Sequence, residues 1–418
     1  MTTTQARTLG LGFIGLGQAV NLILRRKSEI ESLPYRIVAA AERGDRISAL
    51  ATFEKEFGGK GYTSVEALCE DPDVDVIYVG TLPDQRLAHV ELAAQAGKHI
   101  IVEKPMAGSV ADGLRMVDIA DAHSVKLLAG HTHSFDAPIR HMEDVIRSRE
   151  LGSLLSILSF NYNDFSVRPW PNRELQASRG PVLNQGPHQV DIVRQLAGGL
   201  VKSVRASTIW DDLRDCEGGY NCHLLFEDGV SALLSFDARG LFDSGELFGW
   251  IGEGGQQKQP GGAVAMRENF VSLKANSSSL DELDAQLEAQ KEQGRYGASA
   301  TSDEAMRLFG YTGGVPVHQP FFGYTLASCQ RGVIRQSPDG IVVYGERGPT
   351  ERPTQRTLNG RAAELMEMYD AITEDRPLFH DGRWGLATLE VCLGMLESAA
   401  TGTEIPMTHQ VASRGSDA

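Results

Sequence analysis

The chain has 418 residues, with 40 Lys and Arg against 55 Asp and Glu and a formal net charge of −15. At about 150 residues per domain, this length predicts two or three domains. A hydrophobic fraction of 41% with 23% charged residues excludes wholesale disorder. The acidic excess argues against nonspecific binding to nucleic acid or anionic lipid, although a local cluster of arginines could still bind an anionic small molecule.

The cysteines and the N-terminus bear on the cellular compartment. Five cysteines occur without a CxxC pair or a regular spacing, which is typical of reduced thiols in the cytoplasm. The first residues contain no apolar stretch of a secretory signal, and no apolar run reaches the ~20 residues of a membrane helix. We therefore expect a soluble cytoplasmic enzyme.

The first 135 residues alternate short apolar runs with helical patterns, as parallel α/β sheets do. Helices are predicted over residues 18–27 and 85–96, and a third begins at the capping box Thr63-Ser-Val-Glu66. The predicted strands cover residues 9–14, 36–41, 74–79, 99–102 and 126–129.

The pattern changes after Gly152, where longer strands indicate an open, mostly antiparallel sheet. These strands are predicted over residues 153–162, 221–226, 230–239 and 340–344, and helices over residues 280–293, 361–373 and 385–400. Glu227-Asp-Gly229 is a hairpin signal. Residues 253–310 are rich in Gly, Gln and Ser and predict an insertion that is a solvated excursion, with a lid or a subunit contact as alternatives. The fold class is α/β, with domains 1–135 and 136–418.

A glycine-rich turn follows the first predicted strand. Gly10-Leu-Gly-Phe-Ile-Gly15 matches GxGxxG literally, but its first glycines lie inside the strand. The better registration is Gly15-Leu-Gly17-Gln18-Ala19-Val20, in which Gly15 makes the turn and Gly17 lets the backbone approach a pyrophosphate at the helix N-terminus. A strand–turn–helix without a nucleotide remains the alternative for so short a motif.

An acidic residue ends the second predicted strand. The Glu42 carboxylate would accept hydrogen bonds from the adenosine ribose and repel a 2′-phosphate, which favours NAD over NADP. Arg43, directly after it, keeps NADP open as an alternative.

Candidate catalytic and cofactor residues follow two further strands. Glu103-Lys104-Pro105 delivers a lysine to the carboxyl edge of the sheet, where ligands bind in open α/β folds. Thr81-Leu82-Pro83 ends the preceding strand and His89 follows on its helix, so we place these residues and Glu103 at the cofactor. A second cluster is Asn184 with His188 and Asp191, the latter two on one face of a helix that begins near Pro187.

Together these residues resemble the glucose–fructose oxidoreductase and inositol dehydrogenase (Gfo/Idh/MocA) family over almost the whole chain. The resemblance implies an N-terminal NAD-binding Rossmann domain and a C-terminal domain for substrate binding, whose open sheet face often mediates homo-oligomerisation. It also implies that Lys104 and His188 flank the reacting alcohol. Asn184 stands where the family has Asp, so it can orient a substrate but cannot relay a proton as a carboxylate.

The segment before His188 is unusually rich in arginine for an acidic protein. Arg168, Arg173 and Arg179 could bind carboxylates through their guanidinium forks, and Trp170 could stack on a ring. Taken singly, each arginine is better explained by a structural salt bridge. His131 and His133 could add substrate contacts, but without a third ligand they do not predict a metal site.

Within the family, four segments resemble the subgroup that acts on phthalate dihydrodiols. They are 184–192, 318–324, 335–340 and 379–384. The resemblance implies NAD-dependent oxidation of cis-4,5-dihydroxy-4,5-dihydrophthalate to 4,5-dihydroxyphthalate, with Lys104 or His188 as the general base. The alternatives are a cyclitol or sugar dehydrogenase, an NAD-dependent glycosidase and a ligand-sensing regulator without a catalytic base. The sequence contains no nucleic-acid-binding segment.

Overall fold

The structure is a computed structural model that describes residues 7–169, 175, 179–293, 317–355, 358 and 360–414. Trp170 and Arg173, both predicted to contact substrate, lie outside the described residues. In the described part of the chain, no helix is both long and apolar enough to cross a membrane.

Six parallel strands form the first sheet, in the order β3-β2-β1-β4-β5-β6. The strands are β1 Leu9–Ile14, β2 Tyr35–Ala41, β3 Lys60–Tyr62, β4 Val76–Val79, β5 His99–Glu103 and β6 Leu127–Gly130. The helices between them are α1 Gln18–Leu24, α2 Lys27–Glu31, α3 Ile47–Phe57, α4 Val65–Cys69, α5 Arg86–Gln95 and α6 Val110–Ala122. This is the predicted Rossmann sheet, and its order reverses between β1 and β4, where a ligand crevice opens at the carboxyl ends of the strands.

Nine strands form the second sheet, in the order β14-β13-β12-β11-β7-β10-β9-β8-β15. The strands are β7 Leu154–Tyr162, β8 Val201–Asp211, β9 Cys216–Phe226, β10 Ser231–Asp237, β11 Tyr324–Cys329, β12 Gly332–Ser337, β13 Gly340–Gly345, β14 Gly348–Pro353 and β15 Ile405–Pro406. Among the described strands of this sheet, only β7 and β10 pair in parallel, which confirms the mostly antiparallel prediction. The hairpin predicted at Glu227-Asp-Gly229 connects β9 and β10, and Gly229 has φ +87°.

The helices of the second half of the chain pack against the first sheet, against the second sheet or against one another. They are α7 Ala137–Arg147, α8 Pro181–Asn184, α9 Gly186–Leu196, α10 Gly262–Asn276, α11 Leu280–Gln293, α12 Gly360–Thr373 and α13 Gly382–Thr401. Helix α13 packs Leu386 and Leu389 in the core of the first sheet, and Val391 and Met395 in the core of the second. Its apolar residues thereby join the two cores.

The chain also returns to the first sheet through α12. Ala362, Leu365 and Met368 of this helix share a core with Leu9 and Leu11 of β1. The division at residue 135 stays a prediction of the sequence, but the packing shows that part of the C-terminal half completes the Rossmann core.

Two local expectations are corrected by the structure. The N-cap of α4 is Ser64 rather than Thr63, because the Ser64 hydroxyl accepts a hydrogen bond from the Ala67 amide at 3.2 Å. The described part of the insertion is not simply solvated, since Phe270, Leu283 and Leu287 form a small core with Val167.

Candidate active site

The predicted cofactor turn lies where β1 ends. Gly15 has φ +83°, and a Cβ on it would lie 2.8 Å from the Thr81 Cγ2 atom beyond β4. Gly17 caps α1 with an extended backbone. Gly10 and Gly12 lie within β1, so the turn follows the registration that starts at Gly15.

At this turn, α1 packs closely on the first sheet through Val20 and Gly80. Val20 stands where the nucleotide motif has a small residue, and the sequence therefore predicted looser packing. In the structure Val20 packs against Gly80, because a Cβ on Gly80 would lie 2.6 Å from the Val20 Cγ2 atom. The small residue is supplied by the end of β4 rather than by the helix.

Glu42 connects the ends of β1 and β2. Its carboxylate accepts hydrogen bonds from the Leu16 amide at 2.8 Å and from the Arg43 amide at 3.0 Å, and it pairs with Arg46 at 3.1 Å. Glu42 is buried, whereas Arg43 is exposed. A negative charge is therefore held beside the turn, at the strand end where a dinucleotide places its ribose.

The remaining predicted cofactor residues lie at the start of α1, after β4 and on α5. Both polar atoms of the Gln18 side-chain amide are buried without a hydrogen-bond partner among the described residues, and Ala19 beside it is half-buried. Leaving such a group unpaired costs about 1–3 kcal/mol, so the amide fits a ligand that would supply its partners. The Thr81 hydroxyl and the His89 Nδ1 atom are 3.0 Å apart, and Leu82-Pro83 lies on the rim.

Lys104 follows β5 and reaches the second cluster, as predicted. Its Nζ atom donates to the backbone oxygen of Asn184 at 2.7 Å and to the Asn184 Oδ1 atom at 3.1 Å. Burial lowers the pKa of Lys104 to about 8; Arg361 and Arg86 act in the same direction and Glu103 opposes them. Roughly a tenth of this amine is therefore uncharged at pH 7, far more than for a lysine with its ordinary pKa.

Buried ionic groups behind Lys104 hold the strand end in place. Glu103 pairs with Arg361 of α12 and accepts a hydrogen bond from the Tyr78 hydroxyl at 2.8 Å. Arg86 donates to the backbone oxygens of Thr81, Glu103 and Pro105. Glu103 thus lies inside the protein under the lysine. Sequence reasoning missed Arg86 and Arg361, since neither belongs to a motif and Arg361 is more than 250 residues from its partner.

His188 lies in an aromatic environment near Lys104. Its ring centroid is 4.9 Å from that of His133 and 5.1 Å from that of Phe322. Burial and the charge of Lys104 lower the pKa of His188 well below its ordinary value, so the imidazole is neutral. The Nδ1 atom has no hydrogen-bond partner among the described residues. Phe322 belongs to the 318–324 segment and was not predicted as a site residue.

The predicted site histidines His131 and His133, and also Asp191, make polar contacts within the protein. His131 is buried with Nδ1 3.1 Å from the Ala129 oxygen, and His133 Nδ1 lies 3.0 Å from the Asp136 carboxylate. Asp191 accepts a hydrogen bond from the Trp384 indole at 2.5 Å and lies 4.0 Å from His380. Two residues of the 379–384 segment, His380 and Trp384, therefore lie against Asp191 of α9. Asp191 does not pair with His188 of the same helix.

The two described arginines of the predicted substrate cluster have acidic partners. Arg168 is buried and pairs with Asp164 at 2.7 Å. Arg179 pairs with Glu217 at 2.5 Å, and 58% of its side chain is exposed. Arg168 lines a cleft beside the site, whereas Arg179 lies on the surface, so the prediction that Arg179 binds carboxylate gains no support from the geometry.

Comparison with known proteins now identifies the family. The family model described as an oxidoreductase family with an NAD-binding Rossmann fold matches residues 9–131, and the GFO/IDH/MocA C-terminal domain matches residues 139–247. A 1-carboxy-3-chloro-3,4-dihydroxycyclohexa-1,5-diene dehydrogenase from Comamonas testosteroni is 33% identical over 395 residues, covering 93% of this chain and 94% of the relative. The chain belongs to the GFO/IDH/MocA oxidoreductase family.

Solved structures agree with this membership. A putative dehydrogenase from Bordetella bronchiseptica RB50 has a TM-score of 0.80 at 30% identity, over 96% of this chain and 100% of that one. The WlbA dehydrogenase from Bordetella pertussis, solved with NADH and UDP-GlcNAcA, has a TM-score of 0.65 over 96% of this chain and 99% of that one; at 17% identity it shows the fold alone. This GFO/IDH/MocA protein is an NAD-dependent dehydrogenase, as predicted.

Glu42 gives a test of the cofactor site. Replacing Glu42 by Gln keeps an oxygen for the Leu16 amide but removes the charge that would repel a 2′-phosphate. We expect the ratio of NADPH to NADH dissociation constants to fall about 10-fold, equivalent to about 1.4 kcal/mol. Fluorescence titration with both nucleotides measures this ratio.

The matched control is Glu31→Gln, which removes an exposed carboxylate of the same domain. An unchanged nucleotide ratio in Glu42→Gln would show that Glu42 does not face the ribose.

Proposed function

We propose that this protein oxidises cis-4,5-dihydroxy-4,5-dihydrophthalate to 4,5-dihydroxyphthalate with NAD, in the cytoplasmic catabolism of aromatic acids. The observation that carries the reaction type is the buried Lys104 amine, which is held by Asn184 close to the neutral His188. The substrate class is supported by the Comamonas testosteroni relative, whose name specifies a carboxylated cyclohexadiene diol. The five free thiols of the described residues accord with a reducing compartment.

The product chemistry makes this oxidation favourable. Removing hydride and a proton from one carbinol of the diol gives a ketone within a cyclohexadiene ring. Tautomerisation of that ketone gives an aromatic catechol, and the aromatisation supplies a driving force that oxidation of an ordinary alcohol lacks.

Lys104 is the general base in this proposal. The Gly15 turn would hold NAD, which would supply the hydride acceptor. The uncharged Nζ of Lys104 takes the hydroxyl proton, because a base with a pKa of about 8 is matched to neutral pH. The amide at position 184 suits this role, since an aspartate beside Lys104 would stabilise the ammonium and raise its pKa.

His188 and Asn184 orient the diol rather than accept its proton. The neutral imidazole of His188 can donate to or accept from a hydroxyl but has too low a pKa to be an effective base. Asn184 holds Lys104 and presents its side chain toward the same space. Trp170 and Arg173 stay predicted substrate contacts.

We also propose that the protein forms a homo-oligomer through the outer face of the second sheet. Leu158 of β7 lies in register with Leu233 of β10 and with Leu326 of β11, which places three leucines side by side. Leu233 is 55% exposed and Leu158 40% exposed. An apolar row of this kind in the middle of a sheet face is typical of a subunit contact.

The first test is NADH formation by the purified protein with the cis-4,5-dihydrodiol of phthalate. We expect reduction of NAD with this diol and none with myo-inositol, because only the former carries the carboxylates. Absorbance at 340 nm follows both reactions. Reduction with inositol alone would retain the dehydrogenase and refute the dicarboxylate substrate.

The second test concerns the base. Because Lys104 accepts a proton only when uncharged, kcat/KM should rise with pH up to about 8 and then level off. Lys104→Met should lose about 10²–10⁴ in kcat and lose this pH dependence, with little change in NAD affinity. His188→Ala should also lower kcat but keep the pH dependence.

Lys202→Met, which replaces an exposed lysine of β8, is the control. If the pH dependence disappeared in His188→Ala and persisted in Lys104→Met, the roles of the two residues would be reversed.

The third test concerns assembly. Aspartate at both Leu158 and Leu233 places charges in the apolar row and should convert the oligomer to monomers in sedimentation velocity. Leu280→Asp, on an α11 position that is 73% exposed, should leave assembly unchanged. Unaltered sedimentation of the double variant would exclude this face as the contact.

A further inference from the structure

A small cleft opens where β7 ends. One wall comes from Asn161 and Arg168 at and after the end of β7. The opposite wall comes from Glu253 and Lys258, in the first part of the insertion, and from Phe321. The insertion therefore contributes directly to a cavity of the substrate domain.

The cleft adjoins the catalytic groups. Phe321 lines it, and the next residue, Phe322, places its ring 5.1 Å from that of His188. The Glu253 charge is close enough to raise the pKa of Lys104, partly offsetting the larger effect of burial. The Glu253 wall of the cleft is thus near enough to Lys104 for the two charges to interact.

Asn161 presents a fixed hydrogen-bond donor in this cleft. The Asn163 Oδ1 atom accepts from the Phe165 amide at 3.0 Å, which fixes the orientation of the Asn163 side chain. Its Nδ2 atom then donates to the Asn161 Oδ1 atom at 3.2 Å, which fixes Asn161 in turn. The Nδ2 atom of Asn161 is left buried with no hydrogen-bond partner among the described residues, and only 4% of Asn161 is exposed.

Two cations are held in position at the same cleft. Arg168 pairs with Asp164, and Lys258 pairs with Asp243. Burial opposes ionisation of Asp164, but Arg168 and Lys258 hold its pKa below its ordinary value, so the pair is ionised. Asp243 and Glu253 also line the cleft, so the preference for a ligand comes from the arrangement of donors rather than from net charge.

We propose that this cleft binds a carboxylate substituent of the substrate ring, with the Asn161 amide as donor and Arg168 and Lys258 as flanking cations. A carboxylate offers only acceptors, which is what the unpaired Asn161 donor requires. Arg168 thereby keeps its predicted role, and Asn161 and Lys258 join it as residues that determine specificity. The inference rests on the proposed function and gives the insertion a part in substrate selection.

Asn161→Asp tests the inference with almost no change in shape. The variant keeps the oxygen that accepts from Asn163 and replaces the free donor by a negatively charged acceptor. Calorimetric titration of the protein–NADH complex with phthalate and with neutral phthalyl alcohol separates charge from shape. We expect the phthalate dissociation constant to rise at least 10-fold and that of phthalyl alcohol to change less than 2-fold.

Two further variants make the result decisive. Asn221→Asp introduces the same change at an exposed position of β9 and should leave both affinities unchanged. Lys258→Met provides a second alteration of the cleft if Asn161→Asp does not fold, and it should also weaken phthalate selectively. Failure of the wild-type complex to bind phthalate, or equal weakening of both ligands, would overturn the inference.

A failure of the cleft proposal can be distinguished from a failure of the proposed reaction. Binding of phthalate that depends on Asn161, without NADH formation from the dihydrodiol, would refute the proposed reaction and keep the cleft. NADH formation from the dihydrodiol with phthalate affinity unaffected by Asn161→Asp and Lys258→Met would keep the reaction and refute the cleft.

Discussion

The ion pair between Glu103 and Arg361 fixes the position of the strand end that carries Lys104. It joins the end of β5 to α12, two elements far apart in the chain, and does so next to Lys104, the proposed base. Both groups are buried, and removing one partner of such a pair typically costs about 3–5 kcal/mol because the other charge is left uncompensated. The position of Lys104 therefore depends on α12 packing against the Rossmann sheet, through Ala362, Leu365 and Met368.

Burial of this region also determines the pKa of Lys104. Around Lys104 the protein places two cations, Arg86 and Arg361, and two carboxylates, Glu103 and Glu253. The amine has only the neutral oxygens of Asn184 as hydrogen-bond partners among the described residues. Desolvation then dominates and lowers the pKa of the amine. An enzyme that keeps an aspartate beside this lysine would stabilise the ammonium, so the amide at 184 changes the electrostatics as well as the hydrogen bonding.

The second sheet and its insertion line the cleft that we propose for a substrate carboxylate. The end of β7, the 251–258 segment and Phe321 form its walls, and the neighbouring Phe322 ring contacts His188. On α9, the helix that carries His188, Asp191 accepts a hydrogen bond from the Trp384 indole and lies 4.0 Å from His380. In the proposed reaction, Asn184 and His188 of the C-terminal half would orient the diol, whereas the predicted cofactor contacts lie in the N-terminal half.

Local patterns in the sequence determined the elements and the strand-end motifs. Strand β1, helix α11, the hairpin at Gly229 and the turn at Gly15 were predictable because apolar periodicity and glycine conformation depend on near neighbours in the chain. The approach of Lys104 to Asn184 and His188 could be expected only through the family resemblance.

Only the tertiary structure decided which polar groups meet. Arg168 and Arg179 belong to the same arginine-rich segment, and the sequence does not distinguish their roles. In the structure Arg168 lines the cleft, whereas Arg179 pairs with Glu217 on the surface. Arg361 and the unpaired donor of Asn161 have no sequence signature. Their surroundings come from strands and helices distant in the chain, and burial, which sets both the pKa values and the need for a hydrogen-bond partner, exists only once those elements pack.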